Sequence, residues 1–349
     1  MEIVALIPAH NEERLIGTAI SALKSQSTPP TRIVLVADNC TDGTVGIGRE
    51  HGVEVFETRG NSDKKAGALN QALASVLPGL EGQDVVFIQD ADSILSTDFL
   101  ANALRRLMAD DTLGAVGGVF SGGPGGGFVG HLQRNEYARY ARDVARLNGK
   151  CLVVTGTAAT FRVRTLRAVS AGRLDGTLPP GDGRGGVYDT TVLTEDNEIS
   201  FALLTLGYRI LSPKDCTLET EVMPTWTDLW KQRLRWKRGA VENCFQYGLT
   251  KVTWRYWGRQ ALTLAGVIVT FLYLGTLIAA ALSGGITVQP FWAAVTGVFV
   301  VERIVTVRYR GWRYMLAAAT MYELVIDLFL QLVHARAYFD ALTKRKRVW

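Results

Sequence analysis

Residues 85–92 read Val85-Val86-Phe87-Ile88-Gln89-Asp90-Ala91-Asp92. A short strand-forming run passes directly into two carboxylates two residues apart, so the acid pair stands at the carboxyl end of a strand. Runs of the same kind precede it at 3–7, 32–37 and 53–57, rich in Val and Ile and closed by polar or Gly/Pro residues. Helical stretches at 14–25 and 65–76 lie between them. This alternation predicts an α/β fold, a mostly parallel sheet flanked by helices. Ligands of such sheets bind beyond the carboxyl ends of the strands, which directs attention to the residues after each run.

Asp90 and Asp92 project to one side and offer hard oxygen ligands for magnesium or manganese and, through the ion, for a diphosphate. Such an ion acts as a Lewis acid on a departing nucleotide diphosphate. A merely solvated acidic loop is the plainer alternative for an acid pair by itself. Pro8-Ala9-His10-Asn11-Glu12 closes the first strand, and Ala37-Asp38-Asn39-Cys40-Thr41-Asp42-Gly43-Thr44 closes the second, placing polar side chains where a nucleotide would lie. Asp42-Gly43-Thr44 also reads as a turn with a helix cap. Lys65-Ala66-Gly67-Ala68-Leu69-Asn70 opens a helix with a lysine that either reaches a phosphate or is solvated.

Thr194-Glu195-Asp196 precedes a helical stretch at 199–206. A carboxylate there can accept a proton from an acceptor hydroxyl, and Thr194 or Asp196 can equally cap the helix. In Gln232-Arg233-Leu234-Arg235-Trp236, an arginine can pair with diphosphate and the tryptophan can stack on a sugar ring. Glycine-rich stretches at 121–127 and 172–186 read as mobile loops. Between them lie a polar helix at 131–148 and an apolar run at 151–155.

With 349 residues, 48% of them hydrophobic, the chain can bury an α/β domain and keep about a hundred residues for a second part. A net charge of +5 suits a membrane surface or a phosphorylated donor, and no basic stripe with interleaved aromatics points to nucleic acid. Cys40, Cys151, Cys216 and Cys244 are widely spaced, which signals neither zinc nor a disulfide framework. The first apolar run lacks the basic flank of a secretion signal, so the first domain is expected in the cytoplasm.

Residues 261–282 carry no charge, enough to cross a bilayer core of roughly 30 Å. A second span is expected at about 289–307, and a third apolar helix at about 314–340 holds Glu323 and Asp327, whose acids should face protein or water. The basic Arg308, Arg310 and Arg313 and the run Lys344-Arg345-Lys346-Arg347 prefer the cytoplasm, whereas the uncharged 283–289 segment can lie outside. An even number of crossings follows. Two spans are therefore expected, the third helix lying in the interface or contacting another subunit of a homo-oligomer. A buried helical hairpin in a soluble protein is the alternative. The division expected is a catalytic domain at 1–250 and a membrane-associated helical region at 251–349.

In their order, the motifs at 8–12, 37–44, 65–70, 90–92, 194–196 and 232–236 resemble the series found in family 2 glycosyltransferases with a GT-A (Rossmann-like) fold. The likeness runs over 3–238 and is nearest to the branch that includes cellulose, chitin and hyaluronan synthases. It implies that Ala9, Glu12 and Asp38, with Pro8, Asn11 and Asn39 beside them, hold uridine or another base and its ribose. It further implies that Lys65 contacts the diphosphate, that Asp90 positions the donor, and that Asp92, with Asp90, binds the metal. By the same resemblance Asp196, next to Glu195, is the catalytic base, and Gly156 and Thr157 meet the acceptor. Gln232, Arg235 and Trp236 would close over the donor diphosphate, Trp236 also meeting the acceptor end. The implied activity is metal-dependent, inverting transfer of a hexosyl or N-acetylhexosaminyl group, with a UDP-sugar the first expectation for the donor. The acceptor would be a glycan, lipid or protein hydroxyl at the cytoplasmic membrane face.

Two departures qualify the expectation. Asn39 stands where the family often has a second acid. Amino-terminal membrane helices are missing, and two spans are too few to enclose a channel. A processive synthase acting as an oligomer is thus the alternative to single transfer. A nucleotidyltransferase is a third reading, but it leaves Asp196 and the 232–236 motif without a task.

Overall fold

The computed structural model describes residues 1–284, 290–308 and 311–346. Most of the expected 283–289 turn, together with Arg310 and Arg347, lies outside the described residues. The strands β1 (Ile3–Ala9), β2 (Arg32–Ala37), β3 (Glu54–Glu57) and β4 (Val85–Gln89) form where the Val/Ile-rich runs predict them. They pair in parallel in the order β3-β2-β1-β4. Alternate side chains enter different cores: Val4, Leu6, Val86 and Ile88 face one, whereas Ala5, Ile7 and Phe87 face the other. The helix α3 (Lys64–Val76) covers the first face, and α1 (Ile16–Lys24) and α4 (Phe99–Ala109) cover the second. Burial on both faces is what makes β1, β2 and β4 continuous apolar runs, whereas β3, at the sheet edge, keeps exposed Glu54 and Glu57.

The sheet continues through β8 (Ala158–Arg162), β6 (Leu113–Gly117) and β9 (Arg209–Leu211) to seven strands, of which β8 alone runs against its neighbours. Sequence periodicity favours the apolar run at 151–155 over β8. That run forms no strand; its Val154 N–H is donated to Ser200 Oγ at 3.0 Å instead. A smaller sheet of β5 (Ile94–Leu95), β10 (Thr217–Thr220) and β7 (Val119–Gly122) sits beside the acid pair.

Both glycine-rich stretches depart from simple loops. Ser121 and Gly122 belong to β7, and α5 (Gly127–Arg146) starts within the first stretch, after Gly126 with φ at +66°, a left-handed backbone that glycine adopts without strain. In the second, Gly172 lies in α6 (Val163–Leu174), and the segment from there to α7 (Glu195–Thr205) is packed. Leu178, Val187 and Tyr188 from that segment are core residues. Arg173 and Glu198, both almost wholly buried, pair at 2.5 Å beneath it, and Arg173 also donates to the Pro179 and Val187 carbonyls at 3.1 Å.

The remaining α-helices are α2 (Thr44–Glu50), α8 (Trp226–Tyr247), α9 (Trp254–Leu282), α10 (Pro290–Thr306), α11 (Trp312–Ala319) and α12 (Leu324–Leu342). Among the described residues α9, with 29 residues, is the one unbroken helix long and apolar enough to cross a membrane. Its side chains are mostly exposed, Leu262 by 76% and Leu272 by 65%, which is not the state of a soluble protein's core helix. The third apolar helix is not continuous. It breaks into α11 and α12, bent by 62°. At the break Glu323 is buried, accepting from Asn135 at 2.8 Å, from Arg303 at 2.9 Å and from Arg139. Asp327 also pairs with Arg303. The acids face protein as expected, but protein of the same chain, which removes them as grounds for a subunit contact. α12 packs on α8, with the Phe329 ring 4.9 Å from Trp226 and 5.7 Å from Trp230.

Candidate active site at the carboxyl edge of the sheet

A cleft of about 1530 Å³ opens beyond the carboxyl end of β4. Lys65, Asp90, Asp92, Gly156, Thr157, Glu195, Asp196, Gln232, Arg235 and Trp236 all line it, so residues from five distant stretches of chain share one cavity. Pro8, Ala9, Asn11, Glu12, Asp38 and Asn39 stand at the adjoining ends of β1 and β2 instead. Asp38 Oδ1 accepts from Thr58 Oγ1 at 2.7 Å, Asn61 Nδ2 at 2.8 Å and Asn39 Nδ2 at 3.0 Å. Asn39 donates also to the Asn61 carbonyl, and Asn11 Oδ1 accepts from Thr41 N at 2.8 Å. Both asparagines adopt left-handed backbone, φ +59° and +50°, and their side chains brace the two loops. The turn reading of residues 42–44 holds: Asp42 Oδ1 accepts from Thr44 N at 3.0 Å.

Lys65, in the first turn of α3, donates to Asp90 Oδ1 at 2.5 Å and to the Gly156 carbonyl at 3.0 Å, with Glu195 Oε1 at 3.4 Å. Burial alone would favour the neutral amine, but Asp90 and Glu195 outweigh it and hold the ammonium above its usual range. Glu195 is treated conversely: burial would raise it, yet Lys65 and then Arg235 keep it below the carboxylate range. Asp196 has no such direct partner. Burial, then the Glu195 charge, push it up to about 6. Neighbouring acids whose environments drive them apart in this way divide the roles of counter-ion and proton acceptor. Asp196 lies in the first turn of α7, where it accepts from Asn197 N at 2.8 Å, and Thr194 makes no side-chain cap there.

Gly156 sets the position of Asp196, because its N–H donates to Asp196 Oδ2 at 3.1 Å and a Cβ at Gly156 would lie 3.2 Å from the same side chain. Gly156→Ala is therefore expected to slow turnover by about tenfold through a shifted Asp196, with the melting temperature little changed. Paired kinetic and melting measurements check this, and an unaltered kcat would show that the carboxylate is not held there.

Asp92 accepts from Ser93 Oγ at 3.1 Å and from Thr220 Oγ1 at 3.4 Å. Burial, then Asp90 and Glu12, push it up to about 7, the state of an acid cluster short of positive charge. The donor set is oxygen only and suits a hard divalent cation. No group of three or more His, Cys, Asp or Glu placed to hold a metal occurs among the described residues, so protein ligands would number one or two, with diphosphate and water completing the shell. Trp236 carries Arg233 over its ring at 4.4 Å, and Arg233 is paired with Glu136 at 2.9 Å. Arg233 thus supports the motif, whereas Arg235 donates to the Leu193 carbonyl at 3.3 Å beside Glu195. Gln232 Oε1 is buried without a hydrogen-bond partner.

Sequence reasoning missed Thr220, Phe120, Tyr137 and Tyr140, which also line the cleft. Tyr137 and Tyr140 share one face of α5, a spacing that offered a signal; Thr220 reaches Asp92 through the antiparallel β5–β10 pairing, which offers none.

The open parallel sheet, the reversed β8 and the acid pair at the carboxyl edge define a GT-A type α/β domain. Residues 4–169 match the family model described as Glycosyl transferase family 2. Over 285 residues it is 26% identical to the poly-beta-1,6-N-acetyl-D-glucosamine synthase of Staphylococcus aureus (strain COL), covering 78% of this chain and 64% of the synthase. Its identity to the synthase of the same name from Staphylococcus epidermidis is 25% over 250 residues, covering 68% of this chain and 54% of that one. The chain thus spans less than two thirds of the length of these relatives. A mannosyltransferase from Pyrobaculum calidifontis, solved in complex with GDP-Man and Mn2+, shares the fold at a TM-score of 0.64 and 21% identity, over 99% of this chain and 88% of that one.

Proposed function

We propose that the chain is a metal-dependent inverting glycosyltransferase that moves one sugar from a nucleotide-sugar donor to a hydroxyl acceptor at a membrane face. The observation that carries this reading is the single cleft holding Lys65, Asp90 and Asp92 together with Asp196 and Trp236. Residues 1–250 form the catalytic part and 251–349 the membrane-associated part. Glu12, Asp38 and the loops braced by Asn11 and Asn39 receive the nucleoside, while Lys65, Arg235 and Gln232 face the diphosphate. Asp92, with Asp90, holds the divalent ion, which when bound neutralises charge on the leaving diphosphate. Asp196 takes the proton from the acceptor hydroxyl as that oxygen attacks the anomeric carbon from the face opposite the leaving group, which inverts the centre. Glu195 stays anionic to keep Lys65 charged and placed.

In this reading α9 crosses the membrane and α10, which at 17 residues is shorter than a full span, returns beside it. Tyr256 near the start of α9 donates to the Leu152 carbonyl, and Glu302 near the end of α10 pairs with Arg142 of α5 at 2.6 Å. Both ends therefore return to the catalytic part, and the basic residues around them favour a cytoplasmic side.

The names of the relatives and of the solved neighbour put N-acetylglucosaminyl and mannosyl donors first in a screen. Purified chain is expected to release nucleotide diphosphate from one of them only with manganese or magnesium present. A label in the nucleotide that ended up in the product would instead mark a nucleotidyltransferase. Product length separates single transfer from polymerisation. Asp92→Asn is expected to raise the metal concentration for half-maximal activity at least about tenfold. For the unmodified chain the metal demand should fall as pH rises toward about 7, because below that value the ion must displace a proton from Asp92. A metal requirement independent of both the substitution and pH would remove Asp92 as a ligand.

A further inference from the structure

The cleft that holds Asp196 and Trp236 is lined as well by Lys150, Lys237, Arg255, Arg259 and His334. Arg255 and Arg259 stand one turn apart at the start of α9, immediately before its uncharged stretch at 261–282. Tyr140, stacked on Phe120 at 4.9 Å, lines the cleft with them. Among the described residues none of Lys150, Lys237, Arg255 and Arg259 forms an ion pair. Their neighbours Arg233 and Arg238, by contrast, are paired with Glu136 at 2.9 Å and Glu242 at 2.6 Å. Lys237 donates to Gln260 Oε1 at 2.6 Å and lies 4.9 Å from the Tyr338 ring centre. Burial, then the charge of Arg259, push Lys237 down to about 8, as expected for cations crowded together without an anion. His334 Nδ1 is buried here with no hydrogen-bond partner among the described residues.

Basic residues beside a membrane helix ordinarily anchor it to anionic headgroups. These differ because they line the same cavity as the proton-accepting carboxylate. Lys237 is half-buried and Arg255 and Arg259 are exposed beside it, and cations clustered at the start of a membrane helix bind phosphate because guanidinium forks and ammonium groups match its oxygens.

Resting on the glycosyltransferase reading above, we propose that Lys237, Arg255 and Arg259 form an anion subsite that binds the phosphate of a lipid acceptor and presents that lipid's hydroxyl to Asp196. The hydroxyl oxygen bonds to the anomeric carbon of the donor sugar, and its proton passes to Asp196. The bond from that carbon to the donor phosphate oxygen breaks, and its electron pair leaves with the nucleotide diphosphate. The product is a glycolipid that keeps its phosphate in the subsite until release.

The test uses the full chain in neutral detergent with three probes: phosphatidylglycerol, which has both phosphate and hydroxyls, phosphatidylcholine, which lacks the hydroxyls and the net charge, and soluble glycerol phosphate. Native mass spectrometry is expected to show phosphatidylglycerol retained at least about tenfold more tightly than phosphatidylcholine, with labelled sugar from the active donor entering the organic phase. Arg259→Gln should lose most of this retention, Arg259→Lys should keep it, and Arg313→Gln, beside an apolar helix but outside the cleft, should not change it. Equal loss with Arg313→Gln would reduce the effect to general membrane anchoring and overturn the proposal. Glycerol phosphate competing as well as the lipid would keep the anion subsite and overturn its membrane source. Failure of the unmodified chain to release nucleotide diphosphate from any donor would overturn the transferase reading itself, whereas release with no preference for the anionic lipid overturns the subsite alone.

Discussion

Asp196→Asn is expected to slow sugar transfer by about 10²–10⁴-fold while donor affinity stays near that of the unmodified chain. An asparagine fills the same space and can still meet the Gly156 N–H with its carbonyl oxygen, so the packing at the start of α7 is retained. What it cannot do is accept a proton. The pH profile gives a second readout. With Asp196 held at about 6 by burial and by Glu195, the deprotonated fraction grows as pH rises through that value. Turnover should therefore climb between about pH 5 and 7 and then level off. Single-turnover transfer from a labelled donor, with donor affinity measured by titration, checks both statements. Near-normal transfer by the asparagine variant would sink the assignment of the base.

The largest expected effect on stability lies behind the site. Arg173→Met leaves Glu198 with no cation among the described residues in a position shielded from solvent, where the Tyr247 hydroxyl still donates to it at 2.5 Å. Removing one partner of a buried pair costs about 3–5 kcal/mol, because the remaining charge keeps its desolvation penalty and loses the attraction that offset it. The melting temperature in detergent should drop on the order of 10 °C. The double change Arg173→Met with Glu198→Gln should recover much of the loss, since no buried charge then remains. Activity should fall with the single variant below its melting point as well. Arg173 fastens the segment that leads into Glu195 and Asp196 through the Pro179 and Val187 carbonyls. An unchanged melting temperature would mean that water reaches Glu198.

Of the first four strands, β1, β2 and β4 were legible because each is buried on both faces, and burial of that kind demands an unbroken apolar run, whereas the half-exposed edge strand β3 was legible from its Val-Glu-Val-Phe alternation. The site was legible for a related reason: the Lys65, Asp90 and Glu195 motifs each follow or open an element at one edge of that sheet. β8 was not legible, since Ala158-Ala159-Thr160-Phe161-Arg162 is a weaker strand former than the neighbouring 151–155 run and becomes a strand only between β4 and β6. The glycine-rich 172–186 stretch misled in the opposite direction. Its order comes from Arg173 reaching Glu198 and from Leu178, Val187 and Tyr188 entering the core, contacts far outside any local window.

Residue types and spacing by themselves determined the α/β class, the acid pair, the lysine and the base candidate, because backbone periodicity and side-chain chemistry are properties of short segments. Only the tertiary structure decided which of Glu195 and Asp196 keeps its proton longer, since that depends on Lys65 lying 3.4 Å from the first and on the depth of burial of the second. It likewise decided that the last apolar helix breaks, because Glu323 at the break is drawn into a pocket of arginines contributed by α5 and α10. Charges separated by a hundred residues or more become neighbours only when the chain is folded, and the energy of a charge is set by its neighbours and by the water it has lost.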